Sequence, residues 1–306
     1  MATVLITGGT GMIGSALTKA LTAKAYKIII LTRKAKTSTG TISYKEWDIE
    51  KGIIDKTAIA EADYIIHLAG ANVAEGRWTE KRKKEIVDSR VKSGDLLVKS
   101  LKDIPNKVKA MISASAIGWY GPDPQIPNPS PFVESDSADE AFLGATSMLW
   151  EGAIQPVTAL GKRLVVYRIG IVLSNEGGAY AEFKKPLTFT AATILGNGKQ
   201  VVSWIHVDDL VRLFITAIEN ENLSGVYNAV APNPVSNQEL ILEIAKQQGK
   251  FYVPIHVPGF ALKIALGEMS VEVLKSATVS SKKIEATGFQ FTYPLIADAV
   301  KSLRAL

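Results

Sequence analysis

The chain has 306 residues, of which 47% are hydrophobic and 21% charged, and its formal net charge is +5. This length and composition predict a globular protein with one large or two modest domains. The basic residues are dispersed, which argues against a nucleic-acid partner. The absence of cysteine excludes disulfides and a thiol nucleophile, and three histidines leave no metal cluster. No apolar run of about 18 residues and no signal peptide are present, so we expect a cytoplasmic protein without a membrane partner.

The first fourteen residues, MATVLITGGTGMIG, predict a strand over residues 3–6, a glycine turn and a helix over residues 15–24. Gly8 permits the tight turn, Gly11 lets a pyrophosphate approach the backbone, and Gly14 lets the helix pack against the strand. The helix start offers free N–H groups to phosphates. A glycine turn without a ligand is the alternative. We predict a dinucleotide site whose first contacts are Gly8, Gly9, Thr10, Gly11, Met12, Ile13 and Gly14.

A second strand over residues 27–31 ends in Thr32-Arg33, roughly 20 residues beyond the glycines, where dinucleotide folds meet the adenosine ribose. An acidic residue at this position binds the 2′-hydroxyl of NAD. Here a hydroxyl and a cation, followed by Lys34 and Lys36, suit the 2′-phosphate of NADP. We therefore predict NADP(H) as the cofactor, with Thr32 and Arg33 in contact with it. The alternative is that Arg33 is a solvated loop residue.

Residues 44–48 lead to Asp48-Ile49, which we expect beside the adenine. A third strand over residues 62–67 ends in Leu68-Ala69-Gly70, whose small side chains would let the chain pass close to the cofactor. The alternative is a plain strand-to-loop turn.

One long helix is predicted over residues 78–102, with an inward apolar stripe at 3.6-residue spacing. Arg90 falls within that stripe, and a buried arginine needs an anion. The anion is either a cofactor or substrate phosphate, or a carboxylate in the core or at an interface. The cations from Lys81 to Lys84 indicate a solvated face.

A fourth strand over residues 108–113 is followed by serines at 113 and 115, a proline-rich loop over 122–131, and a helix over 139–160. The loop is long enough to be a binding loop. A fifth strand covers residues 164–168. Beyond it the sequence predicts loops and a short helix outside the sheet, and then a strand over 201–207. Asp208 or Asp209 is expected to cap the helix over 210–220.

Strands and helices alternate over the first 170 residues, which predicts the fold class α/β: a Rossmann doubly wound parallel sheet with helices on both faces. We expect a small C-terminal mixed α/β lobe beside it. Residues 1–176 plus 201–230 are predicted to form the NADP-binding Rossmann domain. Residues 177–200 and 231–306 are predicted to form the small substrate-binding C-terminal lobe.

Five segments resemble the extended short-chain dehydrogenase/reductase superfamily, of the nucleotide-sugar epimerase type: residues 7–14, 67–70, 113–120, the segment around Arg168, and 204–210. More narrowly, the chain is similar to the atypical subgroup called epimerase family proteins, which has a plant relative tied to plastid division. The segments that carry this resemblance are Gly76-Arg77-Trp78, Ser89-Arg90, Ser113-Ala114-Ser115-Ala116, residues 196–200, residues 228–232, residues 266–269 and residues 288–291.

The resemblance implies an NADP-binding Rossmann domain whose further cofactor contacts are Thr32-Arg33, Leu68-Ala69, Glu85, Arg90 and Val172. We add Gly70 and Ser113, which end the third and fourth strands. A helical wheel places Glu85 away from the inward stripe, so only the geometry of the helix end could bring it to the cofactor.

Short-chain dehydrogenases use a Tyr, a Lys four residues later, and a Ser; the Lys cation lowers the Tyr pKa and holds the ribose. Counted back from Trp150-Glu151, the Tyr and Lys positions carry Leu143 and Ser147, which cannot do this chemistry. The pair Tyr180 and Lys184 lies in the wrong element. The remaining catalytic candidates are Ser115, at the usual Ser position, and Tyr120, just beyond it. Alternatively, Tyr120 packs in the loop without proton transfer. For His206 we expect a structural role.

Two functions remain open. The first is an NADP(H)-dependent oxidoreductase or epimerase-like enzyme for a small polar substrate, such as a sugar or carbonyl compound. The second is a catalytically silent NADP-binding sensor or regulator, linked to cell division. The missing Tyr and Lys favour the second. The retained cleft with Ser115, Tyr120 and a glycine-rich second lobe favours the first, which we prefer. The sequence determines neither the substrate nor the oligomeric state.

Overall fold

The computed structural model describes residues 1–33 and 36–304. Within these ranges the strands are β1 (Thr3–Thr7), β2 (Lys27–Thr32), β3 (Ile42–Asp48), β4 (Ile53–Ile54), β5 (Tyr64–His67), β6 (Ala110–Ala116), β7 (Arg163–Ile169), β8 (Ile171–Leu173), β9 (Ala191–Leu195), β10 (Val201–Val202), β11 (Trp204–His206), β12 (Gly225–Ala229), β13 (Val235–Ser236) and β14 (Val253–Val257).

The helices of the same ranges are α1 (Met12–Ala23), α2 (Lys56–Glu61), α3 (Glu80–Asp103), α4 (Phe142–Ile154), α5 (Gly178–Lys184), α6 (Val207–Glu219), α7 (Asn237–Gln248), α8 (Gly259–Leu266), α9 (Ser270–Leu274), α10 (Lys282–Glu285) and α11 (Ile296–Arg304). Short 3₁₀ segments cover Ile117–Trp119, Gln155–Leu160, Lys185–Phe189 and Gly267–Met269. Among the described residues, every helix is too short or too polar to span a lipid bilayer.

An eight-stranded main sheet, in the order β12-β7-β6-β5-β1-β2-β3-β4, forms the centre of the fold. Its strands run parallel, except that β4 is antiparallel to β3. Successive residues of β1 enter opposite cores: Val4 and Ile6 pack with Phe214 of α6, whereas Leu5 packs with Leu97 of α3. Both faces of the sheet are therefore covered by helices, which confirms the predicted doubly wound α/β fold.

The sequence analysis predicted no distinct strand between residues 32 and 62, but the structure places β3, β4 and helix α2 there. In β3 only Trp47 is buried, and Lys45 and Glu46 interrupt the apolar pattern. A strand near the edge of a sheet buries little surface, so its apolar periodicity is weak. Asp55 caps α2 by accepting hydrogen bonds from the amides of Thr57 and Ala58.

The predicted helix ends need correction. Helix α3 begins at Glu80, with Thr79 as its N-cap, and α4 covers Phe142–Ile154, followed by a 3₁₀ segment that contains a proline in its first turn. The cap predicted for α6 at Asp208 or Asp209 is wrong. His206 is the N-cap, and its Nδ1 accepts the hydrogen bond of the Asp208 amide.

Asp209 is buried and has a different role from a helix cap. Its carboxylate accepts hydrogen bonds from the amides of Thr292 and Tyr293. It thereby ties α6 to the segment that precedes α11. A sequence pattern does not distinguish this long-range contact from a helix cap, since both use an aspartate in the first turn.

The small lobe has two cores of its own, which contain Tyr180, Trp204, Leu240 and Val300, and Ile194 with Ile241. In the described ranges, the pairs β10–β13, β8–β11 and β14–β9 lie outside the main sheet. The strand predicted over residues 201–207 is split in two, β10 and β11. Trp204 and strands β8, β10 and β11 fall within the predicted Rossmann domain, yet Trp204 packs in the first of these cores and β10 pairs with β13. Strand β12 joins the main sheet, and the predicted domain boundaries stay a prediction.

The proline-rich loop is pinned to the small lobe. Asp123 accepts hydrogen bonds from the hydroxyls of Ser276 and Thr278, and the Phe132 amide donates to the Thr278 carbonyl. The predicted binding loop thus serves as a connection between the two lobes.

Candidate functional site

The glycine turn between β1 and α1 has the shape of a phosphate cradle. Gly8 has φ +69°, and a Cβ there would lie 2.9 Å from the Leu68 carbonyl carbon. A Cβ at Gly14 would collide with the carbonyl oxygen of Gly8 and lie 2.6 Å from Cα of Gly9. At Gly11, by contrast, a Cβ would meet only the Gly8 carbonyl oxygen, at 3.4 Å. The protein itself therefore requires Gly8 and Gly14, whereas Gly11 leaves open space.

This open space lies at the N-terminus of α1. Gly11 is the N-cap, no side chain caps the helix, and the first turn carries no acidic residue. Free amides and the positive end of the helix dipole favour an anionic ligand at this place. The residues present therefore fit a pyrophosphate.

A buried Thr–His pair joins the ends of β1 and β5. Thr7 Oγ1 lies 2.8 Å from His67 Nδ1 and accepts hydrogen bonds from the amides of Leu68 and Ala69, at 3.1 and 3.2 Å. Burial, with a smaller effect from the charge of Arg90, lowers the pKa of His67 to about 3, so the imidazole is neutral. This network fixes the backbone that passes the glycine turn.

At the far side of β1, Arg33 follows β2 and is exposed. Lys36 lies 5.6 Å from the centroid of the Tyr44 ring. Lys34 lies outside the described residues. The exposure of Arg33 fits both a 2′-phosphate ligand and a solvated loop residue, so its contact with NADP stays a prediction, as does that of Thr32.

Arg90 carries a charge without a carboxylate partner in the described part of the chain. Its Nη1 donates to the carbonyls of Ala71 and Ile86, at 3.1 and 2.9 Å, and its Cζ lies 4.9 Å from the centroid of the Trp150 ring. Burial first, and the charge of Arg82 second, lower the pKa of Arg90 to about 10, so the side chain stays protonated at pH 7. Within the residues that the structure describes, no carboxylate of this chain takes the place of the predicted anion.

Glu85 lies on the exposed side of α3. Its side chain is 58% exposed and forms an ion pair with Arg82, at 2.8 Å. Its cofactor contact therefore remains a prediction that only the resemblance supports. Val172 is partly buried in β8, and it packs against the same core as Ile13 of α1.

The carboxyl ends of β6, β7 and β12 carry a buried polar network. Ser115 lies opposite Arg168, which in turn lies opposite Asn228. Ser115 Oγ donates to Glu151 Oε1 at 2.6 Å, and Arg168 forms two hydrogen bonds to the same carboxylate, Nε to Oε1 at 2.9 Å and Nη2 to Oε2 at 3.0 Å. The Arg168 guanidinium also lies 3.5 Å from the centroid of the Trp119 ring.

Tyr120 is part of this network and not of an open cleft. It is 0% exposed and stacks on Phe132; its hydroxyl donates to Asn228 Oδ1 at 2.7 Å and accepts from Arg168 Nη1 at 3.1 Å. Burial raises its pKa to about 12. This packing satisfies the hydroxyl inside the protein and fits the alternative of a packing role, while the approach of Tyr120 to a substrate stays a prediction.

The predicted end of the strand that carries Ser113 needs correction. Strand β6 continues to Ala116, three residues beyond the predicted end, so Ser113 lies inside the sheet. Its side chain is fully buried, and its hydroxyl donates to the Ala114 carbonyl. Its contact with the cofactor stays a prediction, which this burial does not favour.

Sequence reasoning gave no role to Glu151, although a signal was present. Glu151 follows Leu143 by eight residues, or about two helical turns, and so shares a face of α4 with the predicted Tyr and Lys positions. Ser147 is buried, and Leu143 packs beside Gly118. The role of Asn228 had no local signal. Tyr180 lies in the core of the small lobe, away from this network.

Comparisons with known proteins agree with this geometry. The NAD dependent epimerase/dehydratase family matches residues 4–146 and 179–229, and a domain of unknown function, DUF1731, matches residues 257–303. The epimerase family protein YfhF of Bacillus subtilis is 36% identical over 305 residues, which cover 99% of this chain and 98% of the relative.

Two solved structures are also similar. The human epimerase family protein SDR39U1 (isoform 2), crystallised with NADPH, has a TM-score of 0.85 and 27% identity and covers 99% of each chain. The nucleoside-diphosphate sugar epimerase of Corynebacterium glutamicum has a TM-score of 0.78 and 30% identity over 99% of this chain and 58% of that one. The chain described here therefore belongs to the NAD dependent epimerase/dehydratase family, among the epimerase family proteins with a C-terminal DUF1731 domain.

Proposed function

We propose that this protein binds NADP(H) across the carboxyl edge of its main sheet. The observation that carries the proposal is the glycine turn, in which Gly8 and Gly14 close the backbone around a helix start that Gly11 leaves open. The NADPH in the human relative supports the choice of cofactor. The turn would hold the pyrophosphate, Thr32 and Arg33 the 2′-phosphate, and residues 68–70 would lie along the central part of the cofactor.

We further propose an oxidoreductase or epimerase-like activity on a small polar substrate. A bound nicotinamide supplies hydride exchange at a substrate carbon. Ser115, at the usual Ser position, is our candidate for holding the substrate oxygen. Its side chain is 3% exposed and its hydroxyl donates to Glu151 Oε1 at 2.6 Å, so a bound substrate would have to take over this hydrogen bond. A sugar or another hydroxyl or carbonyl compound fits this chemistry, and the Corynebacterium relative is named as a nucleoside-diphosphate sugar epimerase.

The second candidate is an NADP-binding sensor or regulator without turnover. One observation favours it: the positions of the usual proton relay carry Leu143 and a buried Ser147, and the Tyr120 hydroxyl is occupied by Asn228 and Arg168. We retain the cytoplasm as the expected location, because a cysteine-free NADPH-binding protein suits a reducing compartment.

Calorimetry with NADPH, NADP⁺, NADH and NAD⁺ tests the cofactor. We expect Arg33→Asp to weaken NADPH binding by about tenfold or more and to leave NADH binding nearly unchanged, because only NADPH has the 2′-phosphate. Lys99→Asp, which makes the same charge change on an exposed face of α3, is the control. An unchanged NADPH-to-NADH affinity ratio in Arg33→Asp would show that the assignment is wrong, and no binding of NADPH or NADP⁺ by the folded parent would overturn the whole proposal.

A turnover screen separates the two candidates. The parent protein is incubated with NADPH or NADP⁺ and a panel of sugar nucleotides, sugars and carbonyl compounds, and both nicotinamide absorbance and product epimers are measured. For the enzyme we expect a substrate whose turnover falls by about a hundredfold in Ser115→Ala. Tight NADPH binding without turnover of any panel member would favour the regulator.

A further inference from the structure

Arg90 is a partly buried cation beside the loop that follows β5. In the described ranges its guanidinium is hydrogen-bonded through Nη1 alone, to two backbone carbonyls, and no carboxylate lies within ion-pair distance. The nearby charge that lowers the pKa of Arg90 is that of Arg82, which is also positive. A partly buried cation in such surroundings is costly unless an anionic or strongly polar ligand joins it.

The sheet order shows which half of a dinucleotide Arg90 would meet. Arg33 follows β2, on one side of β1, whereas Arg90 is held against residues 70–71, which follow β5 on the other side. A Cβ at Gly70 would lie 3.1 Å from Arg90 Cζ, so the guanidinium rests on the backbone at this strand end. A dinucleotide lies across the loop that follows β1, with its two halves on opposite sides. If Arg33 holds the adenosine, Arg90 lies at the nicotinamide half.

Helix α4 supports the same location. The Trp150 ring lies beneath the Arg90 guanidinium, three residues beyond Ser147, which occupies the position of the superfamily's ribose-binding lysine. Residues three apart on a helix are neighbours on its surface. Arg90 therefore brings a cation from α3 to the part of α4 that carries the lysine position, with the Trp150 ring under it.

We propose that Arg90 holds the nicotinamide half of the cofactor in place of the missing lysine, and that its charge makes the site prefer NADPH over NADP⁺. The physical reason is electrostatic: the oxidised nicotinamide ring carries a positive charge and the reduced ring carries none, so a fixed neighbouring cation disfavours only the oxidised form. This inference rests on the proposed binding of NADP(H).

The test compares the dissociation constants for NADPH and NADP⁺, measured by calorimetry, in the parent, Arg90→Gln and Arg90→Lys. We expect the parent to bind NADPH about tenfold more tightly than NADP⁺. Arg90→Gln should reduce this ratio to near one, and Arg90→Lys should keep most of it. Lys84→Gln, which removes an exposed cation from the same helix, should leave both constants unchanged. A thermal melt of each variant establishes that it is folded.

Three outcomes would contradict the proposed role of Arg90. An equal loss of NADPH and NADP⁺ affinity in Arg90→Gln would overturn the inference, because the charge would then act on the pyrophosphate. Unchanged constants would overturn it as well. If Arg90→Gln does not fold, the parent alone decides, since equal affinity for the two cofactors contradicts the proposal. In all these cases NADP(H) binding itself stands, whereas a parent that binds neither form overturns the proposed function and this inference together.

Discussion

Ser115 and Arg168 lie opposite each other on neighbouring strands, and both hydrogen-bond the same oxygen, Oε1 of Glu151, at 2.6 and 2.9 Å. The ion pair between Arg168 and Glu151 therefore positions the candidate serine. Because the Arg168 and Glu151 side chains are only 3% and 12% exposed, solvent screens this pair weakly.

Breaking this ion pair from one side should destabilise the protein strongly. Arg168→Met leaves the Glu151 carboxylate buried without its countercharge, and we expect the free energy of unfolding to fall by about 3–5 kcal/mol. Urea denaturation measures this free energy of unfolding. The control is Lys185→Met, which breaks an exposed pair with Glu182 and should cost less than about 1 kcal/mol. Equal losses in the two variants would contradict the buried network.

Two glycines of the turn should respond differently to alanine. Gly14→Ala inserts a methyl group against the backbone of Gly8 and Gly9 and should lower the free energy of unfolding by about 1–3 kcal/mol. Gly11→Ala should change the free energy of unfolding little. It should weaken NADPH binding by about tenfold or more, because the methyl group would enter the space that we assign to the phosphate.

Thermal melts and calorimetry measure the two effects. Gly152→Ala is the matched control, since its methyl group has no neighbour within 4 Å inside α4 and should stabilise by about 0.5–1 kcal/mol. If Gly11→Ala bound NADPH as tightly as the parent does, the turn would not be the phosphate site.

His67 should make stability depend on pH. Its pKa is about 3 in the folded protein and 6.5 in the unfolded chain, so between these values the unfolded state binds a proton that the folded state does not. The free energy of unfolding should therefore fall as the pH decreases below 6.5, by about 1.4 kcal/mol per pH unit, and be independent of this group above that pH.

The measurement is urea denaturation of the parent and His67→Asn between pH 7 and pH 4.5. Asn retains a polar atom near the position of Nδ1, and it does not titrate, so the variant should lose the His67 part of the slope. His256→Asn, at an exposed position, should retain the slope of the parent. Parallel profiles of the parent and His67→Asn would refute the prediction.

Tyr120→Phe should act on stability and not on proton transfer. Without the phenol hydroxyl, the buried Oδ1 of Asn228 loses its donor, and we expect a loss of about 1–3 kcal/mol in the free energy of unfolding. The NADPH affinity should match that of the parent. A variant of unchanged stability whose turnover on a screened substrate fell a hundredfold would instead return Tyr120 to the catalytic candidates.

The neighbourhood of the glycine turn could be predicted because its signal is local. The apolar run of β1, the glycine spacing and the start of α1 lie within about twenty residues, so apolar patterning and backbone sterics describe them without tertiary information. The edge strand β3 was missed for the opposite reason: it buries little surface, so its pattern is mixed.

The sequence by itself determined the doubly wound sheet and the place at which we propose a dinucleotide to bind, since both follow from short-range patterns of apolar and glycine residues. Only the tertiary structure decided which polar groups meet. Parallel strands bring Ser115, Arg168 and Asn228 into one row although more than 50 residues separate each from the next. The same packing buries Tyr120 and leaves Arg90 without a carboxylate partner among residues 1–33 and 36–304. No local sequence pattern predicts such neighbours, because burial and charge pairing are properties of the folded arrangement.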